Sequence, residues 1–333
     1  NNAEHNVSAL LQGNHAKVAP LAWRVQGTYR RGGNARAANY WLKNTGVEEG
    51  NFSAALGWNK ERYGVEVFYS RFHTSIGILS SAHFGNLTDL QNAIARSTPN
   101  DNATFTYAIA PPRQAISHNL LKVSSRIKTG DLGEVKLTFA YQYNLRREYD
   151  KHRAYNNPET LAQKPGAEFG IQTITADAIW EHKRVKHFAG MLGVSFMTQT
   201  NNQKYSTIMP SFWNFNGGIF WIERWQFKQL EIEAGVRFDY RWQQAYLQSE
   251  QPMFSYAVPS GSIGAEYHFT EKIKWNANLG TAWRAPNMVE LFADGVHHGA
   301  ASYDVGNRKP VSYTHLRAHE TKANLVCRLL LEK

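Results

Sequence analysis

Two adjacent histidines, His297 and His298, lie in a polar, glycine-containing stretch of the sequence. Imidazole is a ligand for both haem iron and zinc, so the pair could bind a metal or a metal complex. Paired histidines in a polar loop are also often simply solvated, and that alternative stays open. Arg237, Arg241 and Lys274 are cations that could attract an anionic ligand. Both kinds of binding depend on the elements that hold these side chains.

The sequence contains no motif for covalent chemistry. It has no Gly-rich phosphate loop, no HExxH metal motif and no GxSxG nucleophile elbow. The single cysteine, Cys327, excludes an internal disulfide framework and a cysteine-based zinc site. The carboxylates Glu231, Glu233 and Asp239 are interspersed with arginines, as expected of a hydrated surface. We therefore expect a protein that is not an enzyme and has no permanently bound cofactor.

Composition narrows the class of protein. The 333 residues are 42% apolar and 13% aromatic, with a mean hydropathy of −0.50. No run approaches the roughly 18 apolar residues of a membrane-spanning helix, which excludes a helical membrane bundle. The formal charge of +10 permits an anionic partner. Because there is no long basic run, nucleic-acid binding is disfavoured. The chain opens without Met, and we expect it to be a segment of a longer protein.

Residues 230–243 show how the chain is organised. Apolar side chains from Leu230 to Trp242 alternate strictly with polar or small ones from Glu231 to Gln243, a period of two that predicts a strand. At about 3.4 Å per residue this strand would span nearly 50 Å, far longer than the usual strand of a soluble domain. A strand tilted by about 40° across an apolar band of about 25 Å needs that length.

The same alternation recurs along the chain and predicts about twelve strands. They are 5–13, 21–31, 51–59, 63–74, 118–129, 135–146, 169–183, 186–200, 211–227, 230–243, 256–269 and 273–279. Short turns and long connections alternate between them, which predicts an all-β, antiparallel up-and-down sheet with two unequal rims. One long connection contains a predicted helix at 86–97, which either covers a mouth or packs within its own loop.

Two architectures could explain the alternation. In a soluble sandwich the apolar face is the core, whereas in an outer-membrane barrel it meets lipid and the polar face lines a wet interior. Strand length and unequal rims favour the barrel. Aromatic residues near predicted strand ends are also typical of the girdles at membrane interfaces. These residues are Trp58, Tyr63, Trp180, Trp213, Trp242, Tyr246, Tyr256 and Trp283.

The segment 280–307, GTAWRAPNMVELFADGVHHGAASYDVGN, resembles the barrel of the TonB-dependent outer-membrane receptors. That family has an aromatic-Arg-Ala-Pro box, a Glu-Leu pair and a Gly-Asn element around a long extracellular loop. The matching residues are Trp283, Arg284, Ala285, Pro286, Glu290, Leu291, Gly306 and Asn307. The stretches 83–94, 113–122, 141–153 and 233–241 resemble the same family, especially receptors of the Bacteroidetes type. The resemblance covers about 6–307.

The resemblance implies a function for the whole receptor. Such a protein is a 22-stranded barrel in the Gram-negative outer membrane, closed by a plug domain through which a TonB-type inner-membrane complex supplies energy. It imports a scarce nutrient, here most simply an iron complex, either a siderophore or haem. In haem-importing members a histidine between the two motif elements is an axial ligand, a role that would fall to His297 or His298. An anionic siderophore would instead be attracted by Arg237, Arg241 and Lys274.

The sequence departs from the family pattern in three respects. It has no plug, it has about 12 of the implied 22 strands, and its end differs in style. We expect residues 1–310 to be a partial barrel domain, and residues 311–333 resemble a translated sequencing adapter rather than a domain. A short helix over 318–331 is the alternative for that tail. The competing functions are a passive porin, which would have no plug, and a soluble carbohydrate-binding β protein, which would have strands of ordinary length.

Overall fold

The computed structural model describes residues 2–14, 20–82, 91–92, 94–98, 103–149, 164–205, 209–271, 273–297, 302–309 and 313–322. In these residues thirteen strands form one antiparallel sheet in the order β1 to β12 followed by β15, and β13 and β14 form a separate hairpin. The strands are β1 (His5–Asn14), β2 (Leu21–Gly32), β3 (Val47–Asn59), β4 (Tyr63–Gly77), β5 (Arg113–Lys128), β6 (Glu134–Tyr149), β7 (Ala167–Glu181), β8 (Phe188–Lys204), β9 (Ser211–Phe227), β10 (Leu230–Tyr246), β11 (Met253–His268), β12 (Lys274–Arg284), β13 (Asp294–His297), β14 (Ser302–Val305) and β15 (Tyr313–Lys322).

The all-β, up-and-down prediction is confirmed. Each of β1 to β11 pairs with the next strand in sequence, and β10 is 17 residues long, three longer than the 14-residue alternation that predicted it. Its whole length pairs with β9, from Leu230 opposite Phe227 to Tyr246 opposite Ser211. Strands of this length are far longer than a soluble sandwich uses, so the soluble carbohydrate-binding alternative is disfavoured.

The register separates the sheet into an apolar and a polar face. Val236 of β10 lies opposite Trp221 of β9, which lies opposite Leu192 of β8. Val236 is 60% exposed and Trp221 is 54% exposed, so this apolar face is not covered by any described part of the chain. One residue further, Arg237 lies opposite Phe220 on the polar face. The alternation therefore places apolar side chains outside and charges inside a barrel wall.

Glycine on the polar face allows a large ring to lie flat against a neighbouring strand. Phe220 pairs with Gly193, and a Cβ on Gly193 would overlap the Phe220 ring. Gly218 is similarly placed, since its Cβ would meet the Asp239 carboxylate and lie 3.0 Å from the Ser195 hydroxyl. The two glycines thus make room for the side chains of this face.

The sheet has a short-turn rim and a long-loop rim, as predicted. The short-turn rim carries the turns at 60–62, 129–133, 182–187, 228–229 and 269–273. The long-loop rim carries the long connections 33–46, 78–112, 150–166 and 285–312, together with two six-residue connections, 205–210 and 247–252. In the connection 78–112, residues 91–92 and 94–95 are helical, within the predicted helix 86–97; residues 83–90 and 93 lie outside the described residues. Two further single turns of 3₁₀ helix are Ser80–Ala82 and Gly130–Leu132.

Most of the predicted girdle lies on the apolar face. Trp58, Tyr63 and Trp180 lie at the short-turn rim, and the Trp213 and Trp242 rings meet edge to face at 4.9 Å near the long-loop rim. The girdle prediction is wrong for two residues. Tyr256 pairs with Arg241 on the polar face, and the Trp283 ring lies 6.4 Å from the Tyr256 ring. Period-two counting could not decide the face of Trp283, because β12 stops pairing with β11 beyond Gly280.

Two connections of the long-loop rim are joined by buried asparagines. The Asn44 amide donates to the carbonyls of Ile78 and Pro112, and its oxygen accepts from the Ala110 N–H. Asn34 donates to the Thr104 carbonyl in the same way. These bonds satisfy backbone groups that strand pairing leaves free, so the loops rest on each other as a layer.

Part of the C-terminal tail, 311–333, is ordered as a strand in the structure. Residues Tyr313–Lys322 form strand β15, which pairs with β12 from Arg284 opposite Tyr313 to Trp275 opposite Lys322. The alternative helix over 318–331 is therefore wrong for residues 318–322. That residues 311–333 are foreign to the domain stays a prediction.

Of the helices in the described residues, none is long and apolar enough to cross a membrane.

Candidate ligand-binding site

The motif after β12 folds into a short helix with a complete N-terminal cap. The helix is Met288–Phe292; the Asn287 side chain accepts from the Glu290 N–H, and the Glu290 carboxylate accepts from the Asn287 N–H, both at 2.9 Å. Arg284 donates to both Glu290 oxygens, at 2.6 and 3.1 Å. This guanidinium and then the Asn287 N–H hold the pKa of Glu290 below its ordinary value. Glu290 therefore both completes the capping box with Asn287 and accepts from Arg284 at the end of β12.

The apolar face of this helix is buried against the sheet. Leu291 is 1% exposed, and with Met288 and Phe292 it packs against Phe212 of β9 and Ala245 of β10. This cluster is a hydrophobic core on the polar side of the barrel wall. It fixes the start of the long connection 285–312 to the rim.

A hydrogen bond from the barrel wall fixes the proline of the motif. Gln243 of β10 is fully buried and its amide donates to the Pro286 carbonyl at 3.3 Å. Buried amides need such partners, because an unpaired one costs roughly 1–3 kcal/mol. Ala285 is also buried, next to the same contact.

The Gly-Asn element, Gly306 and Asn307, attaches the end of the connection 285–312 to the helix at its start. The Gly306 N–H donates to the Ala293 carbonyl and the Asn307 N–H donates to the Glu290 carbonyl, both at 2.7 Å. A Cβ on Gly306 would lie 2.5 Å from the backbone of Leu291 and Phe292. Only glycine allows this close approach. The predicted motif residues thus form one structural unit around Leu291.

Of the two predicted histidines, the structure places His297, which lies in the hairpin that this unit supports. β13 and β14 pair from Asp294 opposite Val305 to His297 opposite Ser302, so His297 belongs to the last pair before the tip. His298 lies outside the described residues. Among the residues that the structure describes, no group of three or more His, Cys, Asp or Glu side chains is arranged around a common metal position. The metal-binding role of His297 and His298 stays a prediction.

Two of the three predicted cations are neutralised by neighbouring carboxylates. Arg237 donates to both oxygens of Asp239, at 2.6 to 2.9 Å, and to the Ser195 hydroxyl at 2.9 Å. Lys274 lies at the short-turn end of β12, with its ammonium 3.3 Å from the Glu266 carboxylate. Both side chains therefore have structural partners of opposite charge.

Arg241 differs from these two cations. Its Nε donates to the Gln243 amide oxygen at 3.0 Å, and among the described residues it forms no ion pair with a carboxylate. It lines a cavity of about 470 Å³ on the polar face. The cavity wall also includes Asp177, Asn216, Arg237, Trp283 and Arg284. A half-buried guanidinium without a counter-charge can bind an anionic group.

Sequence reasoning missed the residues that build this site around Arg241. Gln243 was recognised only as a polar position of β10, yet it holds both Arg241 and Pro286. Asn287 carries a signal that could have been read, because Asn followed three residues later by Glu is a capping box. Ser195 and Tyr256 carry no such signal, since their positions follow from strand register.

The fold is therefore that of an antiparallel barrel wall with a motif-anchored loop on its polar side. The model of the family described as TonB dependent receptor-like, beta-barrel, matches residues 6–313. The chain belongs to this family. No curated protein matches the chain in sequence.

Solved structures support the same fold. The copper transporter OprC aligns with a TM-score of 0.67 at 15% identity, over 94% of this chain and 50% of that one. The FrpB iron transporter from Neisseria meningitidis (F5-1 variant) aligns with a TM-score of 0.65 at 11% identity, over 89% and 48%. The siderophore receptor PiuA from Acinetobacter baumannii aligns with a TM-score of 0.64 at 10% identity, over 94% and 52%. The chain thus spans about half the length of these proteins.

Proposed function

We propose that the chain forms about half of the barrel of a nutrient receptor in the outer membrane of a Gram-negative bacterium. The observation that carries this proposal is the apolar face. Val236, Trp221, Val194 and Phe52 are each at least 46% exposed, on strands that all belong to one sheet. A continuous apolar surface of this kind is stable in lipid and unfavourable in water. The intact receptor should stay in the membrane fraction after a salt wash and dissolve only with detergent; recovery in the soluble fraction would contradict the location.

The proposed cargo is an iron complex, an anionic siderophore in the first instance. Arg241 supports this choice, because it presents a positive charge to the cavity without an ion-pair partner in the described chain. Two of the aligned structures are titled as an iron transporter and a siderophore receptor. Another is titled as a copper transporter, so the metal is the part of the proposal that needs direct measurement.

The test compares Arg241 with a cation that already has a partner. Arg241→Gln in the intact receptor should raise the Kd for an anionic ferric chelate about tenfold or more, because a charge-assisted hydrogen bond contributes roughly 1.5–3 kcal/mol. Lys274→Gln, near the short-turn rim, should leave that Kd unchanged. Equal affinity of wild type and Arg241→Gln would contradict the role of Arg241.

A second cargo is haem or zinc held by the hairpin tip. The supporting observation is the position of His297 in the last described pair of the β13–β14 hairpin, on an anchored loop, with His298 next to it in sequence. Replacing His297 and His298 by Ala should abolish haem- or zinc-dependent growth without loss of the barrel. Unchanged growth on each would exclude this cargo and leave the siderophore.

We propose that transport involves binding and release without covalent chemistry, with no permanently bound cofactor. Release would require rearrangement of a plug domain driven by a TonB-type complex. The family match does not favour a passive porin. Deleting the TonB-type partner should stop uptake of the complex at low external concentration. Uptake that continues unchanged in that strain would favour passive diffusion instead.

A further inference from the structure

The short-turn rim carries a cluster of cations that the transport function does not use. The turn 182–187 reads HKRVKH, and the adjacent turn between β9 and β10 begins with Lys228. The two turns are in contact, since the Gln226 N–H donates to the His187 carbonyl at 2.9 Å. We call Arg184, Lys186 and Lys228 the rim cations.

The rim cations have no carboxylate partners in the described chain. Arg184 donates to the Gln226 amide oxygen at 2.8 Å, and the Lys228 ammonium lies over the Phe227 ring, 5.7 Å from its centre. Lys186 is exposed at the tip of the first turn. The neighbouring Lys183 differs, because its ammonium pairs with Asp131 at 2.6 Å. In the described chain, the charges of the three rim cations are therefore not offset by a carboxylate, and they are available to an outside partner.

The backbone of both turns supports a role for lysine at two of these positions. Val185 and Phe188 exchange two backbone hydrogen bonds around Lys186, and Phe227 pairs with Leu230 around Lys228. In each turn the first central residue is the lysine, at φ values of 56° and 46°. Glycine is the residue that adopts this conformation without strain. Lysine at these two positions therefore carries a backbone strain that glycine would avoid.

The rim cations lie at the edge of an exposed apolar surface. Val185, Phe188 and Phe227 are 62%, 47% and 43% exposed, and the Trp225 and Phe227 rings stack with centres 5.9 Å apart. Aromatic side chains beside lysine and arginine are typical of the boundary between acyl chains and headgroups. A ligand that matches this surface has an apolar tail for the exposed side chains and an anionic head for the rim cations.

We infer that the rim cations bind the phosphate headgroup of an anionic phospholipid in the periplasmic leaflet, with Val185, Phe188 and Phe227 against its acyl chains. Short turns of outer-membrane barrels face the periplasm, which assigns the leaflet. The inference rests on the proposed outer-membrane location and not on the cargo. Each cation near an anionic lipid surface contributes about a fivefold factor in affinity.

The test measures lipid retention by the intact receptor. Native mass spectrometry with phosphatidylglycerol or phosphatidylethanolamine of equal chain length should show preferential retention of phosphatidylglycerol, weakened by salt. The variant R184Q/K186N/K228N should lower this retention about a hundredfold, as the product of three fivefold factors. Asn is chosen for the two lysines because it tolerates positive φ. The matched control R31Q/R36Q/K309Q removes three cations at the long-loop rim and should retain the lipid.

Three outcomes would overturn the inference. They are equal retention of the two lipids by wild type, unchanged retention by the triple variant, and displacement of phosphatidylglycerol by an equimolar concentration of inorganic phosphate, which would indicate a site for free phosphate. A wild-type receptor that enters no bilayer would contradict the membrane location instead. Should the triple variant fail to fold, the lipid preference of wild type and its salt dependence decide the question.

Discussion

The two rims of the sheet use the same kinds of residue in opposite ways. At the long-loop rim, Arg284 is paired with Glu290, and the helix that contains Glu290 buries Leu291 against the barrel wall. At the short-turn rim, Arg184 and Lys186 have no carboxylate partner in the described chain and stand beside exposed apolar side chains. The charge of Arg284 thus holds the protein's own loop, whereas the charges of Arg184 and Lys186 are available to another molecule.

The comparison shows that the surroundings of a charged residue, rather than its type, indicate its role. A surface ion pair alone adds little to stability, about 0–1 kcal/mol. The Arg284–Glu290 pair matters because the same Glu290 carboxylate completes the capping box with Asn287, in the helix that buries Leu291. Substitutions in the anchored unit around Leu291 should therefore detach a loop, and those of the rim cations should change binding without loss of structure.

The largest effect is expected at Leu291. Leu291→Ala should destabilise the anchored loop by about 2–5 kcal/mol, since it empties a buried leucine site. Hydrogen exchange of the Ala293 and Gly306 amides in the intact receptor would report the loss. Val289→Ala is the matched control, because Val289 is 38% exposed on the same helix and should change exchange little. Similar effects of both variants would refute the anchoring role.

Gly306→Ala should come next, with a loss of about 1–3 kcal/mol in the same loop. The added methyl would lie 2.5 Å from backbone atoms of Leu291 and Phe292, which cannot move aside as a side chain would. Gly50→Ala is the control, because a Cβ there meets nothing within 4 Å. Amide exchange at residues 290–293 distinguishes the two variants, and normal protection in Gly306→Ala would show that the loop adapts.

Glu290→Gln should weaken the cap by about 1 kcal/mol, typical of a lost helix N-terminal interaction. The pH dependence has a defined sign. Because the folded pKa of Glu290 is lowered, its contribution is present above its ordinary value of 4.5 and is lost as pH falls through the folded pKa. Loop protection in wild type should therefore decrease below about pH 4.5, and in Glu290→Gln it should not depend on pH there. An equal pH dependence in both proteins would assign it to other groups.

The smallest effect is expected at the short-turn rim and has the opposite sign. Lys186→Gly should stabilise the turn by up to about 1 kcal/mol, because glycine adopts the observed φ of 56° without strain. The same change should lower phosphatidylglycerol retention about fivefold. A variant that is less stable, measured as Tm in detergent, would show that Lys186 is held by contacts within the protein.

Most of the wall was predictable from the sequence, as β10 illustrates. Its side chains alternate from Leu230 to Gln243, and the strand extends only three residues further. Alternation is a local property with a period of two, so it survives without knowledge of the partner strands. The prediction was weaker where pairing ends, as at Trp283, whose side chain lies near Tyr256 on the cavity side.

The charged site was only partly predictable. Arg237, Arg241 and Lys274 were all recognised as cations on the polar face, but strand register decides that Arg237 reaches Asp239 and Ser195 while Arg241 reaches only an amide. Partners on other strands are distant in sequence; Ser195 is 42 residues from Arg237. No local pattern carries that information.

The sequence by itself determined the strand period, the unequal rims and the family motif, because each depends on neighbouring residues along the chain. Tertiary structure decided which cations are neutralised, why Gly306 must lack a side chain, and that two turns come together as one basic surface at the short-turn rim. The reason is physical: electrostatic and packing free energies depend on distances between strands, and those distances exist only once the register is formed.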